Sequence, residues 1–338
     1  MANDWRSPRA KAKIALTDAA RAAFARAGRY EPHAPADLAV RQTGAVAAHG
    51  DRGPQHRRVY EQERPAIEAA GPLRYTPEGQ ALRGRAIVQR FGQRAPSLAE
   101  LARPVGAPQR TIPRGVVLEA ETPYTYGDWV CDGVCALVTA GSLPAPLVLP
   151  ESLASRSYVR RDAERLGVAY EVADDVVLIE EAFVLRKRLP SYDWRAEEVE
   201  AYRRAFGYTD RPAPRDGSLL YLGRFGTRSE SVQRAYPSER VAAWVEARGG
   251  RVFDTRQASP EAFDALAADA ETVIADQGSA VFGVMQWRTK TLVELIADGW
   301  WHTANLFIGE GAGVRRHVVL ETDGPVPIEA RLDETLPS

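Results

Sequence analysis

The sequence predicts an α/β protein, on three observations. From residue 115 onward, short apolar runs alternate with helical runs, which favours layered strands and helices. A segment rich in Pro, Gly and Arg at 211–217 separates two such regions. In the last region, strands alternate with helices that must cross over between parallel strands, as in a doubly wound, Rossmann-like domain. The length of 338 residues fits two domains.

The front of the chain, residues 1–110, is rich in Ala, Arg, Pro and Gly and predicts a partly irregular arm or cap. Helical stretches are expected at Thr17–Ala27 and Pro77–Phe91. Residues 1–115 carry 20 Lys and Arg against 10 Asp and Glu, so that the remainder has a net charge of −11. We expect this basic segment to face the chain's own acidic half, an acidic partner, or anionic lipid as a peripheral membrane contact. Its interspersed acids argue against nucleic acid.

Residues 111–210 predict the first α/β domain. Its expected strands and helices are, in order, strand Gly115–Glu119, helix Trp129–Ala140, strand Leu147–Leu149, helix Ser155–Leu166, strands Val176–Ile179 and Phe183–Leu185, and helix Asp193–Phe206.

Residues 211–338 predict the second α/β domain. The helix at Ser259 has a hydroxyl cap, then Pro260 and Glu261 in its first turn, which is the usual order at a helix start. The helix from Pro237 ends before Gly249, where a left-handed residue is favoured. The expected elements are strand Ser218–Arg224, helix Pro237–Arg248, strand Arg251–Thr255, helix Ser259–Ala270, and strands Thr272–Asp276, Thr291–Ile296 and His317–Glu321.

Composition excludes several classes of protein. No apolar run approaches the roughly 20 residues of a membrane helix. The N-terminus lacks the apolar core and cleavage site of a secretory signal, which predicts a cytoplasmic location, with the inner membrane as the alternative for the basic arm. Cys131 and Cys135 stand alone, without a second pair or a nearby histidine, and are expected to be reduced core residues rather than metal ligands.

The turn Gln277-Gly278-Ser279 follows a predicted central strand. In a parallel sheet, ligands bind at the carboxyl ends of the strands, and a glycine there allows close approach of the backbone to a phosphate. The alternative is a strand-to-helix turn that needs Gly278 for its geometry alone.

Three arginines and one buried acid accompany this turn. Arg224 ends the first strand of the domain, and Arg228 and Arg234 follow in the next loop, where planar guanidinium groups suit phosphate oxygens. Glu294 lies within an otherwise apolar strand, and a carboxylate in such a position accepts hydrogen bonds from ribose hydroxyls or pairs with an arginine.

Taken in order, these segments resemble the C-terminal half of glycosyltransferase family 61. The similarity rests on LLYLGR, on Arg234 followed five residues later by Glu239, on the turn after Asp276, and on TLVELI, and with the first domain it covers about residues 110–320. This sequence has Gln277 where many members have histidine, and Ser238 where asparagine is usual.

The segment Thr125–Val134 extends the resemblance into the first domain, with Asp128 in place of the family's histidine and Asp132 in place of its second acid. The family implies a GT-B-like arrangement of two Rossmann-like domains, with the acceptor side first. It also implies inverting, metal-independent transfer from a nucleotide sugar to a hydroxyl of a glycan or lipid-linked acceptor, without a cofactor. Asp128 would then act as the base, unless it is simply the N-cap of the following helix.

The predicted site therefore has Asp128 as base, phosphate contacts from Arg224, Arg234, Gly278 and Ser279 with Gln277 beside them, Glu294 at the ribose, and Asp132, Arg228 and Glu239 as further candidates. Two alternatives remain open. One is a polysaccharide pyruvyltransferase, against which the late position of Gly127-Asp128 counts. The other is a catalytically silent nucleotide-sugar-binding scaffold protein.

Overall fold

The structure is a computed structural model that describes residues 8–31, 40–60, 67–88, 96–118, 126–186, 194–226, 235–255, 270–297 and 301–336. The chain forms two compact units that do not follow one another in sequence. The first unit comprises 1–38, 64–124 and 132–188, and the second comprises 39–63, 125–131 and 189–338. The chain therefore passes between the units several times. One of these boundaries lies between Cys131 and Asp132.

The first unit contains a mixed eight-stranded sheet in the order β1-β7-β6-β5-β11-β8-β9-β10. Its strands are β1 Tyr30–Glu31, β5 Ile67–Tyr75, β6 Ala81–Arg83, β7 Ala86–Val88, β8 Arg110–Leu118, β9 Leu147–Pro150, β10 Tyr170–Ala173 and β11 Val177–Leu185. Strands β11, β8, β9 and β10 pair in parallel, whereas β5, β6 and β7 form antiparallel pairs. The helices of this unit are Pro8–Arg26, Leu98–Ala102, Cys135–Ala140, Glu151–Ala154 and Ser157–Arg165.

The second unit contains a six-stranded sheet in the order β13-β12-β14-β15-β16-β3, and every pair in it is parallel. Its strands are β12 Arg215–Gly223, β13 Arg251–Asp254, β14 Ala270–Asp276, β15 Thr291–Ile296, β16 Arg316–Glu321 and the short β3 His49–Gly50. The first five follow the strand order 2-1-3-4-5, which is one of the two common doubly wound orders. Strands β2 Val40–Val46 and β4 Gln55–Tyr60 form a separate antiparallel pair.

Helices cover both faces of the parallel sheet. On one face, helices Ser238–Glu246 and Ile328–Thr335 pack on apolar side chains that include Tyr221, Ile274 and Leu295. On the other face lie helix Ala304–Gly311 and the 3-10 helix Ser279–Met285. The remaining helices of this unit are Ala196–Ala205 and the short Tyr126–Asp128. Such strands buried on both faces read as continuous apolar runs, and SLLYLG and TLVELI show this in the sequence.

These observations confirm the predicted α/β class, and the parallel sheet of the second unit is compatible with a Rossmann-like fold. The predicted strands of the last region lie within three residues of the observed ones, and the helix from Pro237 is observed at Ser238–Glu246. The predicted helix Ser259–Ala270 lies outside the described residues except for Ala270, which begins β14. The predicted helix Asp193–Phe206 forms at Ala196–Ala205, in the second unit rather than before it.

The front of the chain differs most from expectation. Residues 67–88 are not an arm, because β5, β6 and β7 extend the sheet that also contains β8 and β11. The predicted helix Pro77–Phe91 is wrong: the turn between β6 and β7 places Gly84 at a φ of 58°, a left-handed conformation that interrupts a helix. Residues 81–83 and 86–88 instead form β6 and β7, and Leu82 is almost fully buried.

One predicted pair of strands is a single strand. Val176–Ile179 and Phe183–Leu185 join as β11, whose pairing with β5 shifts register between Ile179 and Phe183. This bulge carries the exposed acids Glu180 and Glu181, whose charge made the sequence read as two short strands.

Candidate functional site

The reversal of strand order lies between β12 and β14. From β12 the chain crosses to β13 on one side, and from there it returns to β14 on the other side of β12. The carboxyl ends of β12 and β14 therefore lie at the reversal of strand order. In sheets of this kind, ligands usually bind in the crevice outside that point. Arg224 follows β12, and Gln277, Gly278 and Ser279 follow β14.

The guanidinium of Arg224 lies against the backbone of Gly278. A Cβ built on Gly278 would lie 1.8 Å from Nη2 and 2.7 Å from Cζ of Arg224, so the space that any other residue would fill is occupied by the guanidinium. Gly278 has an extended φ of 162°, which other residues also adopt. Glycine at this position is therefore explained by the close approach of Arg224 and not by the backbone conformation.

The Arg224 side chain is half-buried, and within the part of the chain that the structure describes its guanidinium has no hydrogen bond or ion pair. By contrast, Arg203 in the same unit donates to the carbonyl oxygens of Met285, Trp287 and Ala312 at 2.8–3.0 Å. Arg203 thus secures the end of the 3-10 helix, whereas the Arg224 guanidinium has no such acceptor among the described residues. Planar guanidinium donors of this kind suit ligands with paired oxygen acceptors.

Asp276, the last residue of β14, fixes the backbone on which Arg224 stands. Its Oδ2 accepts hydrogen bonds from the backbone N–H of Arg224 at 2.7 Å and from the hydroxyl of Ser238 at 2.9 Å. Its Oδ1 accepts the hydroxyl of Tyr221 at 2.9 Å. Asp276 is only 2 % exposed, so this carboxylate joins the ends of two central strands to the start of a helix inside the core.

Burial sets the titration of this cluster. Desolvation raises the pKa of Asp276 to about 6, although the three hydrogen bonds and the positive charge of Arg224 act in the opposite direction. Burial and the neighbouring carboxylate raise the pKa of Tyr221, so its phenol stays protonated and donates.

The segment after Gly278 differs from expectation in its geometry. It is a 3-10 helix, Ser279–Met285, with i to i+3 bonds from Val281 to Gly278 and from Gln286 to Gly283. The turn therefore does not lead into the regular α-helix whose N-terminus commonly binds phosphate.

The Asp128 segment contacts this turn. Residues 125–131 belong to the second unit, and a Cβ on Gly127 would lie 3.1 Å from Cβ of Ser279 and 2.8 Å from Cε2 of Phe282. From the sequence, Gly127-Asp128 is predicted to belong to the first domain, but in the structure it packs beside the turn at the end of β14.

Asp128 is not an N-cap. The helical run begins at Tyr126, continues through the π-helical turn Trp129–Val134, and ends as Cys135–Ala140, so Asp128 lies in its first turn. π-helical turns are rare in proteins, and those that occur are often found at functional sites. Asp132 lies within this turn and is buried, and Cys131 and Cys135 are buried free cysteines, as expected.

The carboxylate of Glu294 is bound by three side chains of the second unit. Its carboxylate accepts hydrogen bonds from Nε1 of Trp301 at 2.9 Å and from the amide of Asn305, and it lies 3.2 Å from Nε2 of His317. Glu294 is fully buried. Because it pairs with Ala275, it projects from the opposite face of the sheet to Asp276.

The other predicted residues lie in three different environments. Gln277 is buried in the turn, and its backbone N–H donates to the carbonyl of Leu295 at 2.9 Å. Glu239 is exposed in the first turn of its helix, one residue after Ser238. Arg228 and Arg234 lie outside the described residues.

The described ranges contain no group of three or more His, Cys, Asp or Glu side chains placed to hold a metal ion. None of the helices in those ranges is long and apolar enough to cross a bilayer.

Sequence reasoning missed the residues that support Arg224. Asp276 was included only as the end of a strand, and Tyr221 only as part of an apolar run. An acid that terminates an otherwise apolar strand at the reversal point was the available signal. Two of the partners of Glu294, Asn305 and His317, are 11 and 23 residues away in sequence and gave no local signal.

In comparisons with known proteins, no family model matches the chain and no curated protein matches it.

Proposed function

We propose that the second unit binds the diphosphate of a nucleotide sugar at the Arg224–Gly278 crevice and that the protein is a glycosyltransferase. One observation carries this proposal: a half-buried guanidinium lies on a glycine at the carboxyl end of a parallel sheet, where the strand order reverses. A diphosphate has the paired oxygens that match the planar donors of arginine. Glycosyl transfer leaves negative charge on that diphosphate, so donors already in position lower the barrier.

Asp128 is the proposed base. Its segment contacts Ser279, next to Gly278, so the carboxylate belongs to the part of the chain that borders the crevice. Inverting transfer needs one group to take the proton of the acceptor hydroxyl, and a carboxylate can do so without a metal. The acceptor proposed from the sequence is a glycan or a lipid-linked glycan, with the two units in a GT-B-like arrangement. This matches the resemblance to glycosyltransferase family 61.

Glu294 is left out of the proposed ligand contacts. Its oxygens already accept from Trp301 and Asn305, and binding a ribose hydroxyl would require breaking these buried bonds.

Binding is tested first, by thermal shift against nucleoside diphosphates and nucleotide sugars, since a ligand of the folded state raises Tm. We expect Arg224→Ala to lower the affinity for the nucleotide sugar by about tenfold or more, because a charge-assisted bidentate contact is lost. Arg204→Ala, at an exposed site on helix Ala196–Ala205, is the matched control and should bind as the wild type does. If no nucleotide raises Tm, the proposal fails.

Catalysis is tested separately, by release of nucleoside diphosphate in the presence of glycan acceptors. Asp128→Asn should keep the affinity for the nucleotide sugar and lower turnover by about a hundredfold or more, as expected for loss of a general base. Turnover near the wild-type rate in this variant would refute the role of Asp128.

A second candidate function is nucleotide-sugar binding without transfer. The position of Asp128 in the first turn of a helical run supports it, since an acid there stabilises a helix without any catalytic role. Tight binding of a nucleotide sugar with no diphosphate release, for any acceptor tried, would favour this function.

A further inference from the structure

Three residues of the second unit form hydrogen bonds to the carboxylate of Asp276. Tyr221 is within β12, Arg224 follows β12, and Ser238 begins a helix, and all three reach the same carboxylate. The backbone of Arg224 has a partner on both sides of its Cα. Its N–H donates to Asp276, and its carbonyl oxygen lies 3.0 Å from the hydroxyl of Ser238. The backbone that presents the guanidinium to Gly278 is therefore set by this network.

The hydroxyl of Ser238 has a single hydrogen and two acceptors within reach. It can donate to Oδ2 of Asp276 at 2.9 Å or to the carbonyl of Arg224 at 3.0 Å. With Asp276 ionised, the hydrogen is needed by the carboxylate. With Asp276 protonated, the carboxyl donates to Ser238, which can then donate to the carbonyl of Arg224, so the protonated state satisfies this carbonyl as well.

We propose that Asp276 is the positioning residue of the Arg224–Gly278 crevice, and that uptake of a proton by Asp276 strengthens the binding of an anion to Arg224. This proposal rests on the proposed function only in placing an anion at Arg224.

The sign follows from the charges that act on Asp276. Arg224 is the cation that stabilises its ionised form, while Tyr221 and Ser238 donate to it, and Glu239, beside Ser238, acts on Tyr221. An anion paired with Arg224 offsets that positive charge and so favours the protonated form of Asp276. By linkage, the protonated form then binds the anion more tightly. Because the pKa of Asp276 is about 6, this coupling falls near neutral pH.

The full chain is titrated with sulfate, whose charge does not change between about pH 5 and about pH 8, at constant ionic strength. We expect the affinity of the wild type to fall about fivefold as pH rises across this range, a typical size for coupled sites. Asp276→Asn, which keeps an acceptor for the N–H of Arg224, should reduce that change to about twofold or less. Calorimetry in buffers of different ionisation enthalpy should detect proton uptake on binding in the wild type only.

Equal pH profiles for the wild type and Asp276→Asn would overturn the proposal, as would sulfate binding that Arg224→Ala leaves unchanged or no sulfate binding by the wild type. If Asp276→Asn does not fold, Tyr221→Phe is used. Losing this donor raises the pKa of Asp276, so the midpoint of the sulfate profile should move to higher pH, and an unmoved midpoint overturns the proposal. A normal sulfate profile without nucleotide-sugar binding would refute the proposed function alone.

Discussion

Gly127 packs directly against Phe282, since a Cβ at position 127 would lie 2.8 Å from Cε2 of the phenylalanine ring. Phe282 belongs to the 3-10 helix that follows Gly278, and it is 8 % exposed. The ring therefore cannot retreat without disturbing the packing of that helix. This contact joins the Asp128 segment to the crevice.

We expect Gly127→Ala to lower the free energy of unfolding by about 1–3 kcal/mol, the usual cost of overpacking a dense contact. Urea denaturation measures it. Gly53→Ala is the matched control, because a Cβ there meets nothing within 4 Å, and its stability should be unchanged or slightly increased. Equal stabilities for the two variants would show that the Gly127 contact is looser than described.

Gly278→Ala tests the position of Arg224 without deleting the arginine. The new methyl group would displace the guanidinium, which is the end of a flexible side chain, so the cost in folding is expected to be about 1 kcal/mol or less. Anion affinity should fall about tenfold, because the donors leave their place, and Gly53→Ala should retain it. Calorimetry with a nucleotide sugar gives the affinity. Unchanged binding would mean that the guanidinium does not need this position.

Glu294→Gln distinguishes a structural acid from a ribose contact. The amide cannot accept all the hydrogen bonds that the carboxylate receives from Trp301, Asn305 and His317, and a buried donor left unpaired costs about 1–3 kcal/mol. We expect that loss of stability with nucleotide-sugar affinity changed by less than about twofold. Glu246→Gln, at an exposed helix position, should change neither. A large loss of affinity at unchanged stability would instead support the ribose contact predicted from the sequence.

Asp276 makes the free energy of unfolding depend on pH, and its raised pKa sets the direction. Its pKa is raised to about 6 from 3.8, so the protonated form is favoured by folding. Its contribution to stability is complete below about pH 4 and is lost as pH rises to about 6, by about 3 kcal/mol at most. Denaturation at several pH values should show this loss in the wild type relative to Asp276→Asn. Parallel stability profiles for the two proteins would refute the raised pKa.

The sequence predicted strands β12 to β16 well but not β2, β3 and β4 of the same unit. Strands buried on both faces require unbroken apolar runs such as TLVELI. The sequence also failed for β5, β6 and β7, whose pairing partners include β11, about 100 residues away. Exposed and buried residues alternate irregularly in β5, so no local period marked it as a strand. The assignment of Gly127-Asp128 to the first domain was wrong for a similar reason. Each unit is built from three separate stretches of the chain, and amino-acid composition does not mark where one stretch ends and the next begins.

By itself, the sequence determined the α/β class, the parallel strands of the last third and the choice of Arg224 and Gly278, because apolar runs and turn residues act locally. The tertiary structure alone decided that Arg224 lies on Gly278, that Asp276 supports it, and that Glu294 is enclosed on the opposite face. Those relationships join residues 7 to 54 positions apart in sequence, and they arise from strand order and register. Because buried charges are stable only with their partners in place, the role of each acid could be read only after the sheet had brought those partners together.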